Sequence, residues 1–133
     1  MAASTIEVQE ADVPASTQLD FIDQVMRQSE AAVLAGSAYP IDPEALGTLM
    51  AKLRPEVEKQ LKGPDLLTSQ QKWFDDSKNV LLAANMLGVI ATSVARLNHD
   101  DRVTNDSLMK AFLLVKQECG GRFGPQGCYC GCP

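Results

Sequence analysis

The chain has 133 residues, 45% of them hydrophobic, a formal net charge of −5 and a pI near 4.7. That is enough length and apolar mass for one domain with a core of its own. The acidic balance repels phosphate backbones and anionic lipid, which sets nucleic acid and membrane surfaces aside as partners. Aromatic residues make up only 5%, so the core must be built from aliphatic side chains.

Residues 1–15 mix Glu, Asp, Ser and Ala without a sustained period and predict a flexible acidic arm. They show neither the basic start nor the apolar run of a secretory signal, so the expected location is cytoplasmic. A first helix is expected after Ser16 or Thr17, either of which can cap it, with Asp20 in the first turn. Leu19, Ile22, Met26, Ser29 and Val33 recur at three- and four-residue steps on one face, and Gly36 is the stop.

Asp42-Pro43-Glu44 reads as a second helix start, an N-cap followed by proline at the first helical position. Leu46, Leu49, Met50 and Leu53 form its apolar stripe. Pro55 removes an amide donor, so the helix should kink there or give way to a second short helix running to Leu61. Gly63-Pro64 closes the segment.

Thr68 and Gln71 have capping-box spacing and open the clearest element in the chain. Trp73, Ser77, Val80, Ala84, Leu87, Ala91 and Val94 form a heptad seam, widened by Phe74, Leu81, Gly88 and Ala95. Trp73 and Phe74 are expected to anchor the core. Ala84, Gly88 and Ala91 are small enough to let another helix approach closely, and a second copy of the chain could pair along this helix. The stretch from Val80 to Leu97 approaches membrane-span length, but Asn85, Thr92, Ser93 and Arg96 mark it as a buried core helix. After the polar break Asn98-His99-Asp100-Asp101, Thr104 or Asn105 caps a last helix with Leu108, Phe112 and Val115 inward and Leu113 at the edge. Gly120-Gly121 stops it.

These elements predict an all-α fold: a four- to five-helix bundle over 16–119 with one long central helix, a flexible arm and a non-helical Cys/Gly tail over 120–133. No internal repeat or alternating strand pattern is evident. The order of helices, with Arg102-Val103-Thr104 before the last, also resembles the histone fold. The acidic balance and Pro55 argue against DNA binding, leaving a helical dimerisation or interaction scaffold as one reading of the body.

All four cysteines, Cys119, Cys128, Cys130 and Cys132, fall in the last fifteen residues, among glycines and prolines that preclude a helix. A helical acidic body, a double glycine and a short Cys/Gly segment resemble the precursor of a ribosomally synthesised, post-translationally modified peptide. That resemblance implies a non-catalytic leader, a modifying enzyme as partner, Arg122 to Pro133 as the core peptide, and cleavage at Gly120-Gly121. Glu118 departs from the apolar residue usual at that position before a double glycine. No Ser or Thr follows Ser107, which excludes lanthionine within the tail. The remaining chemistry is on Cys128, Cys130 and Cys132: cyclisation onto the preceding carbonyl, a thioether to a backbone carbon, or oxidation.

Cys-x-Cys-x-Cys in an extended chain also puts thiols on one face. With Cys119 as a fourth ligand this suits a thiolate site for Cu(I), Zn or Fe–S, although the spacing is not the Cys-x-x-Cys of zinc ribbons. A disulfide from Cys119 to a tail cysteine is a third reading, disfavoured by a reducing compartment. A tail whose cysteines are incidental is the plain alternative. His99 reads as a solvated turn residue, and Asp75-Asp76 and Asp100-Asp101 as solvated faces or caps, because adjacent carboxylates diverge on a helix.

Overall fold

A computed structural model of the chain describes residues 15–61 and 70–118. Within them run four helices: α1 (Ala15–Gly36), α2 (Pro43–Leu61), α3 (Gln70–Leu97) and α4 (Asn105–Glu118). No strand occurs among the described residues, and the one β feature is an isolated parallel bridge between Ile41 and Val103. The all-α expectation and a count of four helices hold. Thr68, the predicted cap of α3, lies outside the described residues, as do 1–14 and 119–133.

The bundle is organised from a close helix crossing. α1 packs most extensively against α3. A Cβ placed on Gly88 would fall against the Val33 carbonyl oxygen, 2.8 Å from the Ser37 nitrogen and 2.9 Å from the Gly36 carbonyl carbon. One placed on Gly36 would fall against the Asn85 carbonyl oxygen. Only glycine at both positions lets the two backbones touch, as the small residues on the long helix anticipated. Contacts then advance together along both segments. Asn85 Nδ2 donates to the Ala32 carbonyl at 3.3 Å, the Ala38 amide donates to Thr92 Oγ1 at 3.0 Å, and Arg96 Nε donates to the Tyr39 hydroxyl at 3.4 Å. The chain from α1 into the following loop therefore runs in the same direction as α3.

That loop ends at the bridge. The Val103 amide donates to Pro40 O at 2.8 Å and the Asp42 amide to Val103 O at 3.1 Å. α2 and α4 both leave from this point. Ala45, Leu46, Leu49 and Leu53 are buried after Ile41 at the same offsets as Ser107, Leu108, Ala111 and Val115 after Val103. Each helix carries a carboxylate in its first turn (Glu44, Asp106) and a lysine in its last (Lys59, Lys116), matching the helix dipole.

Several expectations need correction. α2 is one helix through Pro55, with no second helix starting there. Pro55 and Ala51 are both exposed, so the carbonyl left without its amide partner lies on the wet side. α1 is helical from Ala15, which moves Asp20 beyond its first turn and removes the dipole argument for it. On α3, Val94 is only half-buried while Ala95 is fully buried, so the inner stripe runs Ser77, Val80, Ala84, Leu87, Ala91, Ala95. A closing step of four rather than three follows the 3.6-residue period of a straight helix, not a heptad supercoil. Phe74 is 53% exposed and anchors no core, and Leu113 is 60% exposed.

Leu87 is fully buried in the core cluster with Ile22, Leu49, Leu108 and Phe112. Leu87→Ala should cost about 2–5 kcal/mol in urea unfolding. An unchanged midpoint would place the core elsewhere. Gly88→Ala should cost about 2–3 kcal/mol, even after a gain of about 1 kcal/mol in helix propensity, because the obstructing atoms are backbone. A neutral or stabilising result would show that α1 and α3 do not touch there.

Candidate functional site

Every site residue read from the sequence lies outside the described residues: Cys128, Cys130 and Cys132 for modification, Gly120 and Gly121 for cleavage, and Cys119 as the further thiolate ligand. Described structure ends at Glu118, the last residue of α4. What the fold displays is the root from which that segment departs, and its geometry follows from how α4 is held.

α4 begins with reciprocal capping. The Ser107 amide donates to Thr104 Oγ1 at 3.3 Å, and the Thr104 amide donates to Ser107 Oγ at 2.9 Å. Thr104, not Asn105, is therefore the cap, and serine fills the place where a capping box usually has glutamate. Leu108, Ala111, Phe112 and Val115 then turn inward. In the last turn Lys116 Nζ donates to Glu56 Oε2 of α2 at 2.8 Å and sits 5.7 Å from the Phe112 ring centroid. The Glu56 side chain is only 13% exposed, so this pair is shielded from solvent far more than the other cross-helix pairs. A charge pair between two helices that run the same way fixes the end of α4 two residues before Glu118.

The other residues singled out from the sequence are scattered. His99 is exposed and holds a left-handed backbone, φ 63°. The Asp100 amide donates to Ala95 O at 2.9 Å and the His99 amide to Arg96 O at 3.0 Å, the two bonds of a Schellman cap that terminates α3. His99 occupies the position where glycine is usual, and its role as a turn residue is as expected. Arg102 bridges Asp42 at 3.3 Å and Asp101 at 3.6 Å, which ties the two loops at the bridge. Among the described residues no three His, Cys, Asp or Glu side chains come together as a metal site would need.

Two concavities lie on the described surface. The larger, about 540 Å³, is a groove between α1 and α2 with Met26, Met50 and Pro55 along it and Arg27, Glu30, Arg54 and Glu58 at its edges. Arg54 crosses it, with Nη2 donating to Asp23 at 2.7 Å and Nε to Glu58 at 2.9 Å. Those two bonds, Asp23 first, hold the guanidinium pKa above its ordinary value. The smaller, about 320 Å³, lies beside the bridge between Asp42 and Arg102. Sequence reasoning found neither. The i,i+4 spacing of Arg54 and Glu58 was legible, but the third partner, Asp23, is 31 positions away and carried no local signal.

With this geometry in hand, comparison with protein-family models, with curated proteins and with solved structures finds no match. Functional argument therefore rests on the chain's own chemistry. If the Lys116–Glu56 pair sets the root of the tail, Lys116→Ala should cost about 1 kcal/mol. It should also speed amide exchange of residues 113–118 relative to α3. Unchanged exchange there would show that the pair does not hold the end of α4.

Proposed function

We propose that the chain is a non-catalytic helical carrier that presents a C-terminal cysteine segment to a modifying enzyme, as the precursor of a modified peptide. The observation that carries this reading is the confinement of all four cysteines to the last fifteen residues, after a body whose four helices contain none. Exposed thiols so close together are a liability in a protein that makes no use of them. Glycine before Cys128 and Cys132 leaves the adjacent carbonyl open to the thiol. In heterocycle formation Sγ adds to that carbonyl carbon, the amide oxygen takes a phosphoryl group from a donor bound by the enzyme and leaves as phosphate, and the peptide loses the elements of water overall. A two-electron acceptor bound by the enzyme then removes two hydrogens.

A thiolate site on Cys119, Cys128, Cys130 and Cys132, holding Cu(I), Zn or an Fe–S centre, is the second reading, favoured by the alternate spacing of the last three cysteines. Mass spectrometry separates the two. Protein purified from its native host should be lighter than its translated mass by about 20 Da per heterocycle, or about 2 Da per thioether, at Cys128, Cys130 or Cys132. Replacing these three with Ser should abolish the change while the helical body still binds the enzyme. A metal site predicts instead the translated mass and metal retained through gel filtration, then released at low pH as thiolates protonate. An unaltered mass, no metal and freely alkylated thiols would defeat both readings.

A further inference from the structure

We propose that the outward face of α3 is the interface of an antiparallel homodimer, through a different face from the seam that the sequence pointed to. That seam is consumed inside the monomer, where Val80, Ala84, Leu87, Gly88 and Ala91 are buried. The opposite side of the helix should then be polar, as on any helix with one covered face. It is not. From Asn79 to Ala95 the sequence has no ionisable residue on any face. This is a length of roughly 25 Å of helix without a charge. Leu82 is 57% exposed, Val89 41% and Leu97 79%, with Met86 and Ile90 half-exposed between them.

The pattern along this face says what covers it. Asp75, Leu82, Val89 and Arg96 follow one another at seven-residue spacing and so stay on one side of α3, an acid and a base at the two ends of an apolar pair, with the exposed Lys78 and Ser93 lying between. A two-fold axis crossing the helix between Asn85 and Met86 sets Leu82 against Val89 of the second copy, Lys78 against its Ser93 and Asp75 against its Arg96. Each relation then occurs twice. Such self-complementarity is what a closed two-fold interface requires. A parallel pairing would put Asp75 on Asp75 and Arg96 on Arg96, and like charges in register oppose it. By length and composition α3 could also cross a bilayer. Insertion would strip Val80, Leu87 and Ala91 from the core and gain nothing from the order of charges at the two ends, so the second copy is the better-matched occupant.

The test is the solution mass of the full chain under reducing conditions, where the tail thiols cannot cross-link. Light scattering at micromolar concentration should give twice the 14.4 kDa of one chain. Val89→Lys, at an exposed position, should raise the dimer dissociation constant by at least about tenfold, with helical circular dichroism unchanged. Arg96→Asp should weaken the dimer, and Asp75→Arg added to it should restore association, which a merely sticky surface would not do. A monomeric wild-type chain would overturn the proposal, whether the face is bare or covered by another part of the same chain. Dimers indifferent to Val89→Lys and to the charge exchange would also overturn it. Flotation of the monomer with phosphatidylcholine–phosphatidylglycerol vesicles would do so in favour of a membrane.

Discussion

The contact of backbone with backbone at Gly36 and Gly88 sets the rest of the molecule. Because α1 meets α3 without side chains between them, the chain leaving α1 lies directly along α3 and finds Thr92 within hydrogen-bonding reach of Ala38. Thr92 Oγ1 also donates to Gly88 O at 2.9 Å, returning the link to the glycine itself. The loop is thereby delivered to the far end of α3, beside Val103, where two backbone hydrogen bonds close the parallel bridge. From that bridge α2 and α4 depart side by side with matching inward positions. An added methyl at the crossing would displace the loop, then the bridge, then the helix pair that closes the core.

Much of this order was legible in the sequence, and the reasons are local. Proline after Asp42 and a capping residue at Thr104 or Asn105 announce two helix starts, because capping is a local interaction. Buried faces of α1, α2 and α4 were readable because Ile22, Met26, Val33, Leu46, Leu49, Leu53, Leu108, Phe112 and Val115 stand out against polar neighbours. Small residues at Ala84, Gly88 and Ala91 signalled a close approach. What they approach was not readable, since Gly36 lies 52 positions before Gly88 and nothing nearby marks the pair. The bridge and the Arg54 contact with Asp23 were invisible for the same reason.

The misjudgements on α3 share one cause. Periodicity identifies a buried face by contrast with a polar one, and between residues 79 and 95 there is no charged side to provide the contrast. The stripe is read too wide because apolar residues lie all around the helix: Ser77 and Ala95 are buried as expected, whereas Phe74 is exposed and Val94 only half-buried. A serine and an alanine are buried while a phenylalanine and a leucine, Leu82, are left outside. Close packing explains the inversion. The crossing with α1 admits only small residues, so bulk is excluded from the side where backbones touch and accumulates on the side that does not face the core. Periodicity therefore locates the buried side of this helix, and side-chain volume marks where that side ends.

The candidate site was legible only as chemistry. Cysteines among glycines and prolines name a set of reactions, but positions come from the body, and the body offers a single firm point, the end of α4. There the physical demands of the two segments differ in kind. Cyclisation of a cysteine onto its preceding carbonyl needs a backbone free of helical hydrogen bonds, since a carbonyl engaged in a helix is neither exposed nor at the angle a thiol must approach. Recognition by an enzyme needs the opposite, a surface that keeps one shape. On the proposed reading, joining the two at Glu118 would let each follow its own rule. The helix pair joined by Lys116 and Glu56 would, on that reading, give a modifying enzyme a constant point from which to measure the reach to Cys128, Cys130 and Cys132. Glycine-rich spacing would then let each thiol be brought in turn to one catalytic centre of that enzyme.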